Sequence, residues 1–159
     1  MTIDGENDYI RIEHAHHLAI GDNNADFSVS FALIQTQELG DGWRNIIHKG
    51  NADTDRTPAI WKFHSNTGLF ARVSTTHAWD EGIGDDPAVA LNEWVYFSFV
   101  KEGQTLTTYH NGVLAATVAL IGQTVANNGP LFIGRDPWYY GVPGAGLDNI
   151  QMHSRALTE

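Results

Sequence analysis

The stretch WVYFSFVKEGQTLTTYHNGVLAATVA, residues 94–119, decides the fold. Apolar and other side chains alternate over residues 95–100, and this period of two predicts a β-strand. A second strand, rich in Thr and Tyr, is predicted over 105–110, and a third over 113–119. Asn111-Gly112 between them best fits a type I′ turn, in which both central residues need positive φ. These features predict a three-stranded antiparallel meander.

Similar short apolar runs, separated by turns, recur on both sides of the meander. Further strands are predicted at 9–13, 26–35, 43–49, 59–64, 69–74, 131–134 and 147–153. The segments 75–90 and 135–146 are predicted as loops, and residues 65–68 as the tip of a hairpin. No stretch over ten residues shows a helical period. About ten short strands are typical of a two-sheet sandwich or a barrel.

Composition limits the classes of function. A chain of 159 residues with 42% hydrophobic content is predicted to fold as one domain, residues 1–159. The net charge is −10, from 9 basic and 19 acidic residues, which disfavours nucleic acid binding. No apolar run is long enough to cross a membrane, so no membrane insertion is predicted. The absence of cysteine excludes disulfides and thiolate metal sites.

Three parts of the chain carry a family resemblance. They are the meander with its Asn111-Gly112 turn, the opening segment IDGENDYI (3–10), and the closing segment GLDNIQ (146–151) followed by SRAL (154–157). Together they resemble the laminin-G-like jelly rolls of the concanavalin A-like lectin/glucanase superfamily. The resemblance implies an all-β, two-sheet antiparallel sandwich whose first and last strands are neighbours. This fold hosts binders, enzymes and structural modules, so the site must decide function.

The resemblance also implies a structural calcium ion where the opening segment meets the closing strand. Hard cations take oxygen ligands, and the segment DGEND (4–8) is rich in them. Carried over to this chain, the ligands would be Asp4, Asn7 and Asp148, with a carbonyl from Gly5. The family usually has Asp-Glu where this chain has Asp148-Asn149, which lowers the local charge. The alternative is a plain turn at Asp4, and rival acidic clusters lie at 80–86 and 53–55.

Aromatic residues in predicted loops favour sugar recognition. Flat rings take the apolar faces of sugars, while polar side chains take the hydroxyl edges. The candidate ligand-binding residues are Trp138, Tyr139, Tyr140, Trp79, Asp136, Arg135 and Asn51. If their loops share one rim, they would line a cleft. The alternative is that such aromatics close the ends of the sandwich, and Trp94, at the start of a core strand, is predicted to be buried.

The chain lacks the motifs of the superfamily's enzymes. Glucanase relatives carry Glu-x-Asp-x-Glu on a strand, and no such spacing occurs here. A serine nucleophile elbow and a His-Glu-x-x-His zinc motif are also missing, and no histidine is assigned a catalytic role. The chain is therefore predicted not to be an enzyme. Two carboxylates within about 10 Å across a groove would favour a glycosidase instead.

The sequence thus predicts a non-catalytic, calcium-stabilised module that binds a glycan or a glycosylated partner. We expect a protein with that function to be extracellular or exposed on the surface of a cell or a virion. We also expect it to belong to a larger surface assembly with other copies or domains. One alternative is a structural domain of a phage virion, fibre or cell-surface protein that binds protein. A second alternative is a glycosidase or polysaccharide lyase of the same superfamily.

Overall fold

The computed structural model describes residues 1–63, 68–84 and 86–157. Within these ranges, twelve strands form two antiparallel six-stranded sheets, and two short 3-10 turns occupy His16–Leu18 and Asp22–Asn24. The predicted all-β sandwich with almost no helix is therefore confirmed. The predicted hairpin tip at Ser65–Thr67 lies outside the described residues.

Each sheet draws its strands from both ends of the chain. Sheet A contains, in spatial order, β1 (Thr2–Ile3), β12 (Ala145–His153), β3 (Phe27–Gln35), β8 (Val95–Glu102), β9 (Thr105–His110) and β10 (Val113–Ala119). Sheet B contains β2 (Ile10–Ile12), β11 (Leu131–Ile133), β4 (Arg44–Lys49), β5 (Ala59–Lys62), β6 (Phe70–Val73) and β7 (Glu81–Ile83).

The predicted meander is confirmed as β8, β9 and β10. Asn111 and Gly112, which join β9 to β10, have φ of 52° and 77°. Both values are positive, as a type I′ turn requires, and glycine meets this demand without steric cost. The local sequence therefore sets both the pairing of these strands and the turn between them.

The core lies between the sheets and is built by the alternation of the strands. Phe27, Val29, Phe31 and Leu33 of β3 are fully buried. Phe31 is opposite Phe97 of β8, and their ring centroids are 5.2 Å apart. In sheet B, Ile47, Ile60 and Ile133 supply the facing apolar surface. Because side chains alternate along a strand, the intervening residues of sheet B point away from the core.

Three expectations need correction. The opening segment does not form one strand beside the closing strand: Ile3 pairs with Ala145 in sheet A, but 10–12 pair with β11 in sheet B. The predicted loop 75–90 contains β7, which pairs with β6. Trp94 is 53% exposed, because it precedes β8 and contacts the outer surface of sheet A near Gly146.

We expect Gly50→Ala to destabilise the fold by more than about 2 kcal/mol, because a Cβ there would lie 1.7 Å from the carbonyl oxygen of Asp55. Gly40→Ala is the matched control, since a Cβ at Gly40 has no atom within 4 Å. Urea denaturation of both variants measures the free energies of unfolding. Equal stability of the two variants would contradict the close packing of the β4–β5 loop.

Candidate functional site

The outer face of sheet B carries a row of large side chains. The strand register places Arg11 of β2, Phe132 of β11 and His48 of β4 side by side. Trp61 of β5 also points away from the core, because its neighbour Ile60 points into it. His48, Trp61 and Phe132 are nevertheless buried. Other parts of the chain must therefore cover this face.

The cover is the loop after β11, and Asp136 fixes its conformation. The Asp136 Oδ1 accepts hydrogen bonds from the backbone N–H groups of Trp138 and Tyr139, at 2.9 and 2.7 Å. This turn directs the Trp138 ring onto His48, with centroids 5.1 Å apart. Tyr139 lies against Trp61 at 6.2 Å. The loop and the sheet thus form one continuous row of aromatic rings.

Two adjoining grooves open beside this loop. Groove one, of about 550 Å³, is lined by Tyr9, Arg11, Asn51, Arg135, Asp136 and Trp138 among others. Trp138 is 38% exposed in it, so one part of the ring packs on the sheet and another part faces solvent. A half-buried, immobilised ring beside amide and guanidinium groups has the chemistry of a sugar-binding surface.

Groove two, of about 350 Å³, is more aromatic. Trp43, Trp61, Trp79 and Tyr139 line it together with Arg56 and Arg72. The Arg56 guanidinium lies between Trp61 and Trp79, at 4.3 and 4.5 Å from the ring centroids. It also donates hydrogen bonds to Asp53 at 2.8 Å and to Asp80 at 2.5 Å. Arg56 is therefore a buried part of the wall of groove two, and its guanidinium is already bound to other protein groups.

The seven predicted ligand-binding residues divide between three places. Asn51, Arg135, Asp136 and Trp138 meet in groove one, and Trp79 and Tyr139 meet in groove two. Tyr140, which is 54% exposed, lies beneath the guanidinium groups of Arg44 and Arg135. The loops thus come together over the face of sheet B.

Sequence reasoning missed three residues that build this face. His48 and Trp61 lie within strands, where alternation predicts only that they point away from the core. Arg56 lies in the polar stretch between β4 and β5, whose composition gives no sign of burial, yet it is 7% exposed. Of these three residues, only Trp61 had a signal in the sequence. A large aromatic ring on the side of a strand that points away from the core indicates that something covers it.

A buried titratable pair lies beneath Trp138. The Nδ1 of His48 is 3.4 Å from the Oδ2 of Asp136, and both side chains are fully buried. Burial, together with the charge of Arg56, lowers the pKa of His48 to about 4. Burial raises the pKa of Asp136 to about 6, against the hydrogen bonds from Trp138 and Tyr139. Near pH 7 the His48 side chain is therefore neutral, while Asp136 is a carboxylate whose charged form is disfavoured by burial.

The four predicted calcium ligands do not meet at one point. The register pairs Thr2 with Gly146 and Ile3 with Ala145, so Asp148 lies about four residues, or roughly 13 Å, from the position opposite Asp4. The Oδ1 of Asp4 instead accepts backbone N–H groups of Glu6 and Asn7, at 2.8 and 3.1 Å. The described residues contain no group of three or more His, Asp or Glu side chains that could hold a metal.

The arrangement around Asp4 therefore fits a hydrogen-bonded turn, and the strand register separates Asp148 from the other three predicted ligands. These hydrogen bonds also lower the pKa of Asp4. A calcium site confined to the opening segment 4–8 stays a prediction. Asp148, whose Oδ1 accepts the N–H of Asn149 at 2.8 Å, would take no part in it.

We expect His48 and Asp136 to give opposite pH dependences of stability. In Asp136→Asn only the lowered pKa of His48 remains. The unfolded chain then binds a proton more readily than the folded one, so stability should fall as pH drops from about 6.5 to about 4. His48→Gln leaves the raised pKa of Asp136, so stability should fall as pH rises from about 4 to about 6. Each effect should amount to about 3 kcal/mol, at about 1.4 kcal/mol for each pKa unit.

Urea denaturation between pH 4 and 7 measures this difference. In the wild type the two effects oppose each other, so its profile should lie between those of the two variants. His17→Gln, which changes an exposed histidine, should follow the wild type. Superimposable profiles for Asp136→Asn and His48→Gln would show that neither group changes its pKa on folding.

No helix in the described ranges is long and apolar enough to cross a membrane.

No curated protein matches the chain. Among solved structures, the binding domain of botulinum neurotoxin serotype D is similar, with a TM-score of 0.75 and 13% identity over 99% of this chain and 39% of that one. The binding domain of Paraclostridial Mosquitocidal Protein 1 has a TM-score of 0.68 and 16% identity, over 99% and 43%.

Trypanosoma rangeli sialidase is also similar, with a TM-score of 0.62 and 13% identity over 85% of this chain and 21% of that one. The chain thus spans between about a fifth and two fifths of these proteins, and at such identities the likeness shows the fold alone. A family model for laminin-G-like domains, described as concanavalin A-like lectin/glucanases superfamily, matches residues 4–159. The chain is therefore a member of the laminin-G-like family within the concanavalin A-like lectin/glucanase superfamily.

Proposed function

We propose that the chain is a non-catalytic binding module that recognises a carbohydrate, or the glycan of a surface partner, in groove one. The observation that carries this proposal is the exposed part of the Trp138 ring, which stands beside Asn51 and Arg135 in a groove of about 550 Å³. The ring would stack on the apolar face of a sugar. The amide and the guanidinium would bind its hydroxyl edges.

The support for Trp138 as a stacking platform is its rigidity. Asp136 fixes the turn that carries the ring, and His48 and Phe132 pack against it, with Phe132 at 6.4 Å. A side chain that is ordered before binding loses little conformational entropy when a ligand arrives. In this proposal Asp136 is a positioning residue, because its carboxylate is buried beneath the loop.

The continuous row of aromatic rings favours a ligand that is longer than one sugar. Trp138 lines groove one and its neighbour Tyr139 lines groove two, so the two grooves adjoin at a single peptide unit. An oligosaccharide could therefore contact Trp138 at one end and Trp79 at the other. Sites of this open kind bind weakly one at a time, and repeated copies in a surface assembly would raise the avidity.

The comparisons support binding at a coarser level. Two of the similar structures are named as binding domains, of a neurotoxin and of a mosquitocidal protein. The likeness to both proteins shows the fold alone, so the partners of those proteins are not transferred to this chain. The extracellular or surface location of this chain is part of the same proposal, since a glycan-binding module meets its ligands there.

The glycosidase alternative has one observation in its favour. Asp53 and Asp80 flank the same Arg56 guanidinium in groove two, which places two carboxylates within the roughly 10 Å that hydrolysis requires. Glycoside hydrolysis, however, also needs one carboxyl group as a proton donor. Both carboxylates are bound to one guanidinium, so neither is free to act as that donor.

The assembly alternative also has an observation. Strand β10 is an edge of sheet A that carries no charged residue, and Val113 and Leu114 on it are 70% and 60% exposed. Uncharged edge strands can pair with another chain. A register shift between Leu114 and Ala116 twists this edge, a device that protects edges from such pairing.

We expect Trp138→Ala to weaken glycan binding at least about fivefold, since loss of ring stacking costs roughly 1 kcal/mol or more. A glycan array identifies the ligand, and titration calorimetry measures the affinities. Trp94→Ala is the matched control, because Trp94 is also exposed but lies at sheet A.

Three outcomes would contradict the proposal. Equal loss in Trp94→Ala and Trp138→Ala would show that the site is not groove one. Cleavage of any array glycan, abolished by Asp53→Asn, would establish the glycosidase alternative. No glycan binding by a protein that forms stable oligomers through β10 would establish the assembly alternative.

The calcium prediction has a separate test. We expect millimolar calcium to raise the Tm modestly, because the segment 4–8 offers few free carboxylate oxygens and weak sites bind in this concentration range. Asp4→Asn should abolish the rise, whereas Asp148→Asn should leave it unchanged. An identical Tm in calcium and in EDTA would contradict calcium binding.

A further inference from the structure

The arginines of this acidic chain are concentrated on one face. The chain has a net charge of −10, and six of its residues are arginines. Five of the six lie on or beside the outer face of sheet B. They are Arg11, Arg44, Arg56, Arg72 and Arg135. A chain with so few cations has thus placed most of its guanidinium groups where the proposed ligand binds.

Two of these arginines are already neutralised by carboxylates. Arg11 forms an ion pair with Glu13, and Arg56 forms ion pairs with Asp53 and Asp80. These guanidinium groups have local partners and serve to build the walls of the grooves. They leave little positive charge for a ligand.

Arg72 lies in groove two, where its guanidinium donates to the carbonyl oxygen of Asp80 at 3.2 Å. Arg44 and Arg135 lie outside groove two, and among the described residues neither makes an ion pair with a carboxylate. Both guanidinium groups contact the exposed ring of Tyr140, at 5.8 and 5.0 Å from its centroid. Arg135 donates a hydrogen bond to the carbonyl oxygen of Glu6, at 2.6 Å. The buried Nε of Arg44 has no hydrogen-bond partner among the described residues. Two like charges therefore contact one ring, and no carboxylate of the described residues forms an ion pair with either of them.

The backbone holds this arrangement in place. The N–H of Asn45 donates to the carbonyl oxygen of Tyr140 at 2.7 Å, and Asn45 forms a parallel bridge with Gly141. The segment that carries Tyr140 is thus bound directly to β4, which carries Arg44. Arg135 also lines groove one, and Arg44 is linked to it through the Tyr140 ring that both guanidinium groups contact.

We propose that Arg44 and Arg135, arranged around Tyr140, bind the acidic group of an anionic sugar whose ring occupies groove one. This inference rests on the proposed function and specifies its ligand class: a glycan that carries carboxylate or sulfate. Guanidinium groups bind both anions through paired, charge-assisted hydrogen bonds. An anion placed between the two arginines would also remove the repulsion between them.

The net charge makes this recognition local. A chain of −10 repels polyanions in general, so attraction of an anion requires contact with these two guanidinium groups. The proposed site therefore distinguishes an acidic sugar, which also stacks on Trp138, from an anionic polymer without sugar rings. Tyr140 supplies a second flat surface next to the bound acid.

The experiment compares matched ligands that differ in charge alone. Calorimetry is run with oligogalacturonate against its neutral methyl ester, and with dextran sulfate against dextran. The first pair tests carboxylate and the second tests sulfate. Polyglutamate serves as a polyanion without sugar rings. The proteins are the wild type, Arg44→Gln, Arg135→Gln and Arg155→Gln, the last being a control of equal charge change on an exposed residue elsewhere.

We expect the wild type to bind at least one acidic member about tenfold more tightly than its neutral partner. Arg44→Gln should remove this preference and keep binding of the neutral member. Arg135→Gln should remove the preference and also weaken binding of the neutral member, because Arg135 lines groove one. Arg155→Gln should retain the preference. Circular dichroism and the Tm confirm that the variants are folded.

Each other outcome overturns a defined part of the argument. Equal affinity for the acidic and neutral members, with binding to both, would overturn this inference and leave the proposed function intact. Equal binding of polyglutamate would show general anion attraction in place of sugar recognition. Loss of the preference in Arg155→Gln would place the charge effect outside groove one. The absence of binding to every glycan would overturn the proposed function itself.

Discussion

The hydrogen bonds that the buried carboxylate of Asp136 accepts hold the whole candidate site together. Strand alternation leaves large rings of sheet B, Trp61 and Phe132 among them, on the side away from the core. A sheet face of this kind must be covered. The two N–H groups that donate to Asp136 turn the following loop back over the face. Without that turn, Trp138 and Tyr139 would have no fixed position, and neither groove would have its wall.

The sequence predicted those parts of the fold that depend on local signals. The meander is specified by alternating residues and by Asn111-Gly112, all within 26 consecutive positions, so its pairing needs no distant information. The opening segment is different. Whether residues 10–12 join sheet A or sheet B depends on their fit to β11, more than a hundred residues away. Strand β7 has only three residues, too few to show a period.

The candidate site was predicted in part for the same reason. Aromatic and polar residues in loops identified Trp138, Arg135 and Asn51, and the structure brings these three into one groove. The pattern of a strand indicates that Trp61 points outward but not which loop covers it. The predicted calcium set stays a prediction, and antiparallel pairing places Asp148 about four residues from the position opposite Asp4. Composition places oxygen ligands along a chain, while the register decides which of them meet.

The polar groups beneath Trp138 argue that this loop is more than a cover. His48, Trp61 and Asp136 each bury a polar atom that has no hydrogen-bond partner among the described residues. Buried polar atoms without partners destabilise a fold. A loop that only covered the sheet could use apolar side chains in their place. Natural proteins depart from well-satisfied packing mainly at functional sites. The burial of a histidine and a carboxylate under an exposed tryptophan therefore favours a face built to hold a ring at one fixed height and angle.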